Sequence, residues 1–494
     1  MKAKKIFKGM TAAAVAAVLA ASMVPMTAFA AAVTTDTQEI TFNSNVTNLT
    51  YKIYQVATAT VAAGGTAYDY TLVAPFTDVA GYETIDKIAA VDSSDAAAKK
   101  DLADALAAKV DTTSTNPTTP LATVNGGDSH ALAPGYYLIL TSGSQMTGAP
   151  ILLSVRSDTP IGTVNAKTSE ITFDKTIEKV TASATGTGLT GGTVGTGNDT
   201  AQVSIGSTVS YKLATKFPNY AETIQATNMT EYSITDIPSA GLTLVDKGSA
   251  GLDKDDFVVT VGGTATTEFT VAAEGNGFKI SFANAFVLTN KTKDVVVTYD
   301  ATVNENAVVG TAGNPNKATL KFDNNYYEGG TSKEIPDDGK VFTTKLVVNK
   351  TFSDFTKTPT NKYPVAGFTL YAANGTDVIA TASTTEDNNT VEFKGLAAGK
   401  YVLKETTTPD GYKTAADVDI TITANGDTKY DGTYAFSGTG VKDDGTIEVI
   451  NVQGQTLPGT GGMGTIIFTV AGAGVVLVAG IMLIVYMKKR KIEE

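Results

Sequence analysis

Short runs in which apolar and polar residues alternate fill the chain from Ala31 to Gln455, and this period of two restricts the fold more than any other feature. Thr50-Tyr51-Lys52-Ile53-Tyr54 and Asp294-Val295-Val296-Val297-Thr298-Tyr299 are examples. Turn formers separate the runs, as in Ala373-Asn374-Gly375 and Ala424-Asn425-Gly426. Side chains of a strand point to alternate faces, so each run can bury one face and wet the other. Many short strands broken by such turns predict an all-β chain of tandem β-sandwiches. One helix is expected, around Ser94 to Val110, where Ala, Lys and Leu dominate. The Gly- and Thr-rich stretch from Thr181 to Thr200 reads as a long loop or hairpin tip. At roughly 100–200 residues per domain, the length allows about three domains. Boundaries are placed near 166/167 and 339/340, giving domains 31–166, 167–339 and 340–455.

The two ends, 1–30 and 456–494, are not domains. Lys2, Lys4, Lys5 and Lys8 precede an apolar run from Thr11 to Leu19 and then Ala28-Phe29-Ala30. This order describes a secretory signal peptide cut after Ala30. Near the other end, the 22 residues from Ile466 to Met487 carry no charge and are followed by Lys488-Lys489-Arg490-Lys491. That length crosses a hydrocarbon core of about 30 Å, and the basic cluster holds the tail on the cytoplasmic side.

Composition removes several function classes. The chain has no Cys, no Trp and one His, so disulfides, thiolate catalysis, cysteine-ligated zinc and His-clustered metal sites are excluded. No metal and no cofactor are expected. His130 sits in Gly127-Asp128-Ser129-His130, which reads as an exposed loop without catalytic duty. Setting aside the charges at the two ends leaves 30 basic and 48 acidic residues, an excess that repels a phosphate backbone, so nucleic acid is not an expected partner.

The domain 340–455 carries the sharpest chemical pattern. Leu346, Val348 and Lys350 share one face of Lys345-Leu346-Val347-Val348-Asn349-Lys350. Tyr401, Leu403 and Glu405 share a face of a middle strand, and Ile447, Val449 and Asn451 a face of the last. Each apolar face thus ends in an ionisable or amide residue. Burying a lone Lys or Glu costs several kcal/mol, so each needs a partner, and a buried salt bridge would serve. Convergence of the three allows more. Desolvation lowers the lysine pKa and raises that of the acid, so a neutral amine can attack the Asn carbonyl while the acid polarises it and ammonia leaves.

The motifs of this domain resemble those of a known family. Val348-Asn349-Lys350 with Val365-Ala366-Gly367-Phe368-Thr369-Leu370-Tyr371 is similar to the start of a collagen-adhesin B-type domain. Tyr401-Val402-Leu403-Lys404-Glu405-Thr406 with Pro409-Asp410-Gly411-Tyr412 resembles the E-box of Gram-positive pilins, and Ile450-Asn451 the closing strand. The resemblance implies an internal Lys350–Asn451 isopeptide bond with Glu405 as its catalyst. It also implies immunoglobulin-like or prealbumin-like sandwiches.

The domain 167–339 repeats the logic with an aspartate. Ile171, Phe173 and Lys175 share one face of its first strand, and Tyr232, Ile234 and Asp236 share one of another. Asn316, Ala318, Leu320 and Phe322 share a face of the last strand. Tyr232-Ser233-Ile234-Thr235-Asp236 before Gly241-Leu242-Thr243-Leu244, with Gly313-Asn314-Pro315-Asn316, resembles the isopeptide-forming second domain of backbone pilins. The implied bond is Lys175–Asn316 with Asp236 as catalyst. Asn314 and Asn324 are the rival amides, and both suit a strand end better than a core. In the first domain, Tyr51-Lys52-Ile53-Tyr54-Gln55 and Leu132-Ala133-Pro134-Gly135-Tyr136-Tyr137-Leu138-Ile139 resemble the N-terminal domain of such pilins, and no Lys/acid/Asn trio stands out.

Leu457-Pro458-Gly459-Thr460-Gly461 resembles the Leu-Pro-x-Thr-Gly sorting signal of Gram-positive wall proteins. This implies that a sortase cuts between Thr460 and Gly461 and passes the Thr460 carbonyl to an amine, so the membrane segment is transient. Pilins of this family offer a lysine between the first two domains, usually in Tyr-Pro-Lys-Asn. Here the place holds Val164-Asn165-Ala166-Lys167-Thr168, which points to Lys167, with Lys179 as rival. The resemblance therefore implies a major pilin subunit, secreted and wall-anchored. Its partners would be sortase, further copies of itself, accessory pilins, peptidoglycan and a possible host surface ligand. It is not expected to be an enzyme beyond forming its own bonds. The alternative is a singly anchored adhesin or accessory pilin that binds a host ligand and needs no acceptor lysine. A secreted hydrolase would need a carboxylate pair or a nucleophile and base set in a cleft.

Overall fold

The computed structural model describes residues 33–44, 48–65, 67–91, 95–110, 118–143, 146–166, 168–182, 191–220, 226–248, 251–325, 331–454, 472–473 and 475–483. They form two compact units. One runs to Lys345 and includes Lys394–Gly399 and Ile422–Ala435; the other takes Leu346–Phe393, Lys400–Thr421 and the chain from Phe436. The change of unit after Lys345 lies just beyond position 339/340, which itself falls inside the strand Thr331–Phe342.

The first unit begins with a sheet in the order Tyr68–Leu72, Thr50–Val61, Gly135–Ser142, Ile151–Val155, with Ala122–Asn125 also pairing with Thr50–Val61. A small sheet of Ser129–Leu132, Gln38–Phe42 and Thr163–Val164 packs on one face, so Tyr51, Ile53, Tyr137 and Ile139 meet Ile40 and Phe42. On the other face Tyr54, Leu138 and Leu140 meet Leu102 and Leu106 of the helix Ala96–Ala107. A strand covered on both sides has no wet face, which is why Tyr136 to Leu140 is continuously apolar. The helix lies within the expected segment and is capped by Asp95, whose side chain accepts from the Ala97 and Ala98 amides. His130 departs from expectation. It lies on the Ser129–Leu132 strand opposite Ile40, half-buried, because pairing with Gln38–Phe42 draws that polar segment into a sheet.

The rest of this unit is a sandwich. One sheet contains Asp174–Thr181, Thr208–Lys216, Asp294–Val303, Val258–Val261 and Thr264–Ala265 in that order, with Leu242–Leu244 also on Asp294–Val303. The facing sheet runs Gly192–Val194, Thr200–Val203, Thr331–Phe342, Asn314–Asn325, Tyr232–Pro238, Gly277–Phe282, Thr270–Glu274. The alternation is literal here: in Asp294–Val303 every second residue from Val295 to Val303 is buried. Residues 183–190 of the expected loop lie outside the described residues, and its later part forms the strand Gly192–Val194.

The remaining strands, which hold most of the second unit, form two sheets; in one, Thr344–Phe352 lies between Thr390–Leu396 and Thr446–Asn451, and it pairs with Thr446–Asn451 in parallel. The opposing sheet has the order Val378–Ser383, Gly367–Ala372, Gly399–Thr407, Val418–Ala424, Tyr434–Gly438. Positions 472–473 and 475–483 are helical and fall inside the segment expected to cross a membrane; among the described residues no helix is long and apolar enough to do so.

Candidate functional site

Alternation delivers Lys175, Asp236 and Asn316 to the interior of the first unit, where all three are fully buried. Lys175 is the second residue of its strand, and Ile171 and Phe173 just before the strand are buried beside it. Asp236 and Asn316 lie on neighbouring antiparallel strands of the opposite sheet, Asp236 opposite Ala318 and Asn316 opposite Pro238. The Lys175 ammonium donates to Asp236 Oδ2. It also donates to the Tyr299 hydroxyl at 2.8 Å, and Asn316 Nδ2 donates to that same hydroxyl at 2.8 Å. Tyr211 stacks on Tyr299 with ring centroids 5.4 Å apart, and the lysine nitrogen lies 4.8 Å from the centre of the Tyr211 ring. Asp236 Oδ1 and Asn316 Oδ1 have no hydrogen-bond partner among the described residues.

The second unit repeats this with different spacing. Leu346, Val348 and Lys350 face inward, as do Tyr401, Leu403 and Glu405, and Ile447, Val449 and Asn451. Asn451 Nδ2 donates to Glu405 Oε2 at 2.9 Å and also to the Lys413 carbonyl. The Ala415 amide donates to the same Glu405 oxygen at 2.7 Å. Lys350 Nζ stands 4.0 Å from Glu405 Oε1, donates to the Thr351 carbonyl at 3.0 Å, and lies 4.3 Å from the centre of the Phe352 ring. Glu405 Oε1 and Asn451 Oδ1 are without a hydrogen-bond partner among the described residues.

Burial sets the electrostatics. It pushes the Lys175 pKa down and the Asp236 pKa up, against the attraction between the two charges. Burial lowers the Lys350 pKa to about 8, with the Glu405 charge opposing. Passing a proton from amine to acid neutralises both and removes the cost of two buried charges. The acid oxygen that receives it changes from an orphan acceptor into a donor, and the orphan Asn oxygen is a matching acceptor. That is the electronic arrangement needed for a neutral amine to attack an activated amide carbon and release ammonia.

Of the rival amides, Asn314 opens the strand Asn314–Asn325 and so does lie at a strand end, but it is fully buried. Its side chain is saturated by backbone, accepting from the Val308 amide at 2.8 Å and donating to the Val308 carbonyl at 3.0 Å, and so fastens a loop. Asn324 falls within the strand Asn314–Asn325 rather than in a turn. Lys179 is exposed. Lys167, Ala30 and Leu457, Pro458, Gly459, Thr460 and Gly461 lie outside the described residues. Tyr299 and Phe352 were not singled out from sequence, because an aromatic residue on a buried strand face is ordinary core material. The one available signal for Tyr299 was its position on the buried face of Asp294–Val303, the same sheet as Lys175.

Comparison with known proteins agrees with this architecture. Residues 353–434 match the SpaA family of prealbumin-like fold domains, and residues 450–494 match the LPXTG cell wall anchor motif. A curated relative, the trypsin-resistant surface T6 protein of Streptococcus pyogenes serotype M6, is 31% identical over 237 residues, which are 45% of this chain and 42% of that protein. The chain thus spans less than half the length of the curated relative it matches. Among solved structures, the T6 backbone pilin of serotype M6 Streptococcus pyogenes, a modular three-domain structure, aligns with a TM-score of 0.59 at 19% identity, covering 86% of this chain and all of that one. The major pilin SpaA of Corynebacterium diphtheriae aligns at 15% identity and a TM-score of 0.49, covering 85% of this chain and all of that one. The chain has the fold of the T6 backbone pilin and carries a C-terminal cell wall anchor motif.

Proposed function

We propose that the chain is a major pilin subunit, exported after cleavage at Ala30, polymerised by a sortase and anchored to peptidoglycan. Two buried Lys/acid/Asn trios in one cysteine-free chain carry this reading, because a shaft under load needs crosslinks that do not depend on redox state. Lys175–Asn316 and Lys350–Asn451 are the internal amide bonds, with Asp236 and Glu405 as their acids. The sortase joins the Thr460 carbonyl to Lys167 of the next subunit. An exposed lysine is almost wholly protonated at pH 7, so the acceptor must be delivered by position, which a domain junction provides. Head-to-tail linkage between two points far apart in sequence builds an open filament. The domains 31–166, 167–339 and 340–455 are its building blocks, accessory pilins would join the same shaft, and a host surface ligand would be met along it.

The test is a denaturing gel of cell-wall extract from cells carrying the parent chain or Lys167→Arg. The parent gives a ladder of high-mass species, and the variant gives wall-bound monomer alone. A ladder that persists with Lys167→Arg moves the acceptor to another lysine. A single band from the parent replaces the polymer with a singly anchored adhesin.

A further inference from the structure

Tyr299 is placed unlike any other group in either trio. Its hydroxyl oxygen accepts from both nitrogens that the proposed bond exchanges, Lys175 Nζ and Asn316 Nδ2, each at 2.8 Å. A phenol oxygen offers two lone pairs and one proton, so these contacts occupy its accepting capacity and leave the proton to give. The ring is held rigidly, stacked on Tyr211 and meeting Phe278 edge-on at 4.9 Å. We infer that Tyr299 is a catalytic residue of the middle site, relaying a proton from the attacking amine to the departing amide nitrogen.

The relay rests on the Lys175–Asn316 bond proposed above, and its chemistry closes without a co-reactant. The neutral Lys175 nitrogen attacks Asn316 Cγ, and a new N–C bond forms. A proton then passes from Nζ to the Tyr299 oxygen while the hydroxyl proton passes to Nδ2. The Cγ–Nδ2 bond breaks, ammonia leaves and the phenol is restored. Burial raises the Tyr299 pKa well above its ordinary value, which keeps the hydroxyl protonated and able both to give and to take. Among the described residues no hydroxyl bridges the second trio: Lys350 Nζ donates to the Thr351 and Val449 carbonyls, and Asn451 Nδ2 to Glu405 and the Lys413 carbonyl. A carbonyl can take up no proton for transfer.

The experiment follows the Lys175–Asn316 crosslinked peptide by mass spectrometry during cell-free synthesis of the full chain. Tyr299→Phe should slow its appearance on the order of a hundredfold. Tyr136→Phe should not, because that hydroxyl lies outside the trio and has no hydrogen-bond partner among the described residues. Crosslinking of Tyr299→Phe at the parental rate overturns the relay. 3-Fluorotyrosine placed at position 299 alone keeps the shape and alters the acidity, so it serves even if Tyr299→Phe fails to fold. A changed rate supports proton transfer, and an unchanged rate reduces Tyr299 to a positioning group and overturns the relay. A parent chain with no crosslink, or Asp236→Ala crosslinking normally, overturns the underlying bond assignment instead.

Discussion

The middle and last trios use the same parts in different geometry. In the middle one, lysine and amide sit on opposite sheets, with the aspartate beside the amide and touching the lysine. In the last, lysine and amide sit on adjacent parallel strands of one sheet, and the glutamate reaches across from the other sheet to hold the amide, 4.0 Å from the lysine. One bond would staple the two sheets together and the other would lock two neighbouring strands. Yet in each site one acid oxygen and the Asn oxygen are buried without a hydrogen-bond partner among the described residues. The shared requirement is therefore not strand topology or acid length. It is a buried acid with one oxygen unoccupied, set beside an amide whose own oxygen is unoccupied among the described residues.

The largest expected effect treats the two alike. Asp236→Ala and Glu405→Ala should each restore one ammonia to the intact mass and remove one crosslink. The closed loops span about 140 and about 100 residues, so by the loop-entropy argument each loss costs on the order of 4–5 kcal/mol. Denaturant titration with limited trypsin digestion would read both. An acid variant that keeps the mass deficit would mean that its site does not use that acid.

Much of this was legible in the sequence. Period-two alternation places Lys350, Glu405 and Asn451 on buried faces without any structure, since a strand has only two faces to offer. It fails where both faces are covered, as at Tyr136 to Leu140, and where a polar segment such as Ser129–Leu132 is recruited as an edge. Alternation also cannot show depth along the sandwich. Asn314 and Asn316 share a face by parity and both are buried, but a nearby loop consumes the amide of Asn314, and that loop's path is a tertiary fact. Tyr299 was hidden for a related reason, because its hydroxyl acts only where two sheets bring three strands to one point.

That distinction gives a test of intermediate size on the middle site. Asn316→Ala should restore one ammonia. Asn314→Ala should keep the deficit and lose about 1–3 kcal/mol, the usual cost of leaving buried backbone groups unsatisfied. If Asn314→Ala restores the ammonia instead, the crosslink is misassigned and the contrast between cross-sheet and same-sheet bonds must be redrawn.

The smallest effect is the most discriminating, because it concerns where the lysine proton goes. Lys350 titrates at about 8 and stands apart from its acid, so its neutral fraction is set by exchange with water. Bond formation in the last domain should then rise about tenfold between pH 7 and pH 9, as the neutral amine grows from about a tenth to about nine-tenths. Lys175 touches Asp236 in a fully buried pair, so its proton moves within the pair and the rate in the middle domain should stay flat. The stability of a bond-free Asn451→Ala chain checks the same assignment. The folded lysine pKa of about 8 lies below its ordinary 10.5, so the unfolded chain binds more protons between those values and stability must rise with pH across that window. Time courses of the two crosslinked peptides at several pH values separate the cases. Two flat profiles would mean that Lys350 also hands its proton directly to Glu405, making the 4.0 Å gap a detail of the resting geometry. Two rising profiles would mean that water reaches Lys175 as well, and the contrast drawn between the two sites would fall.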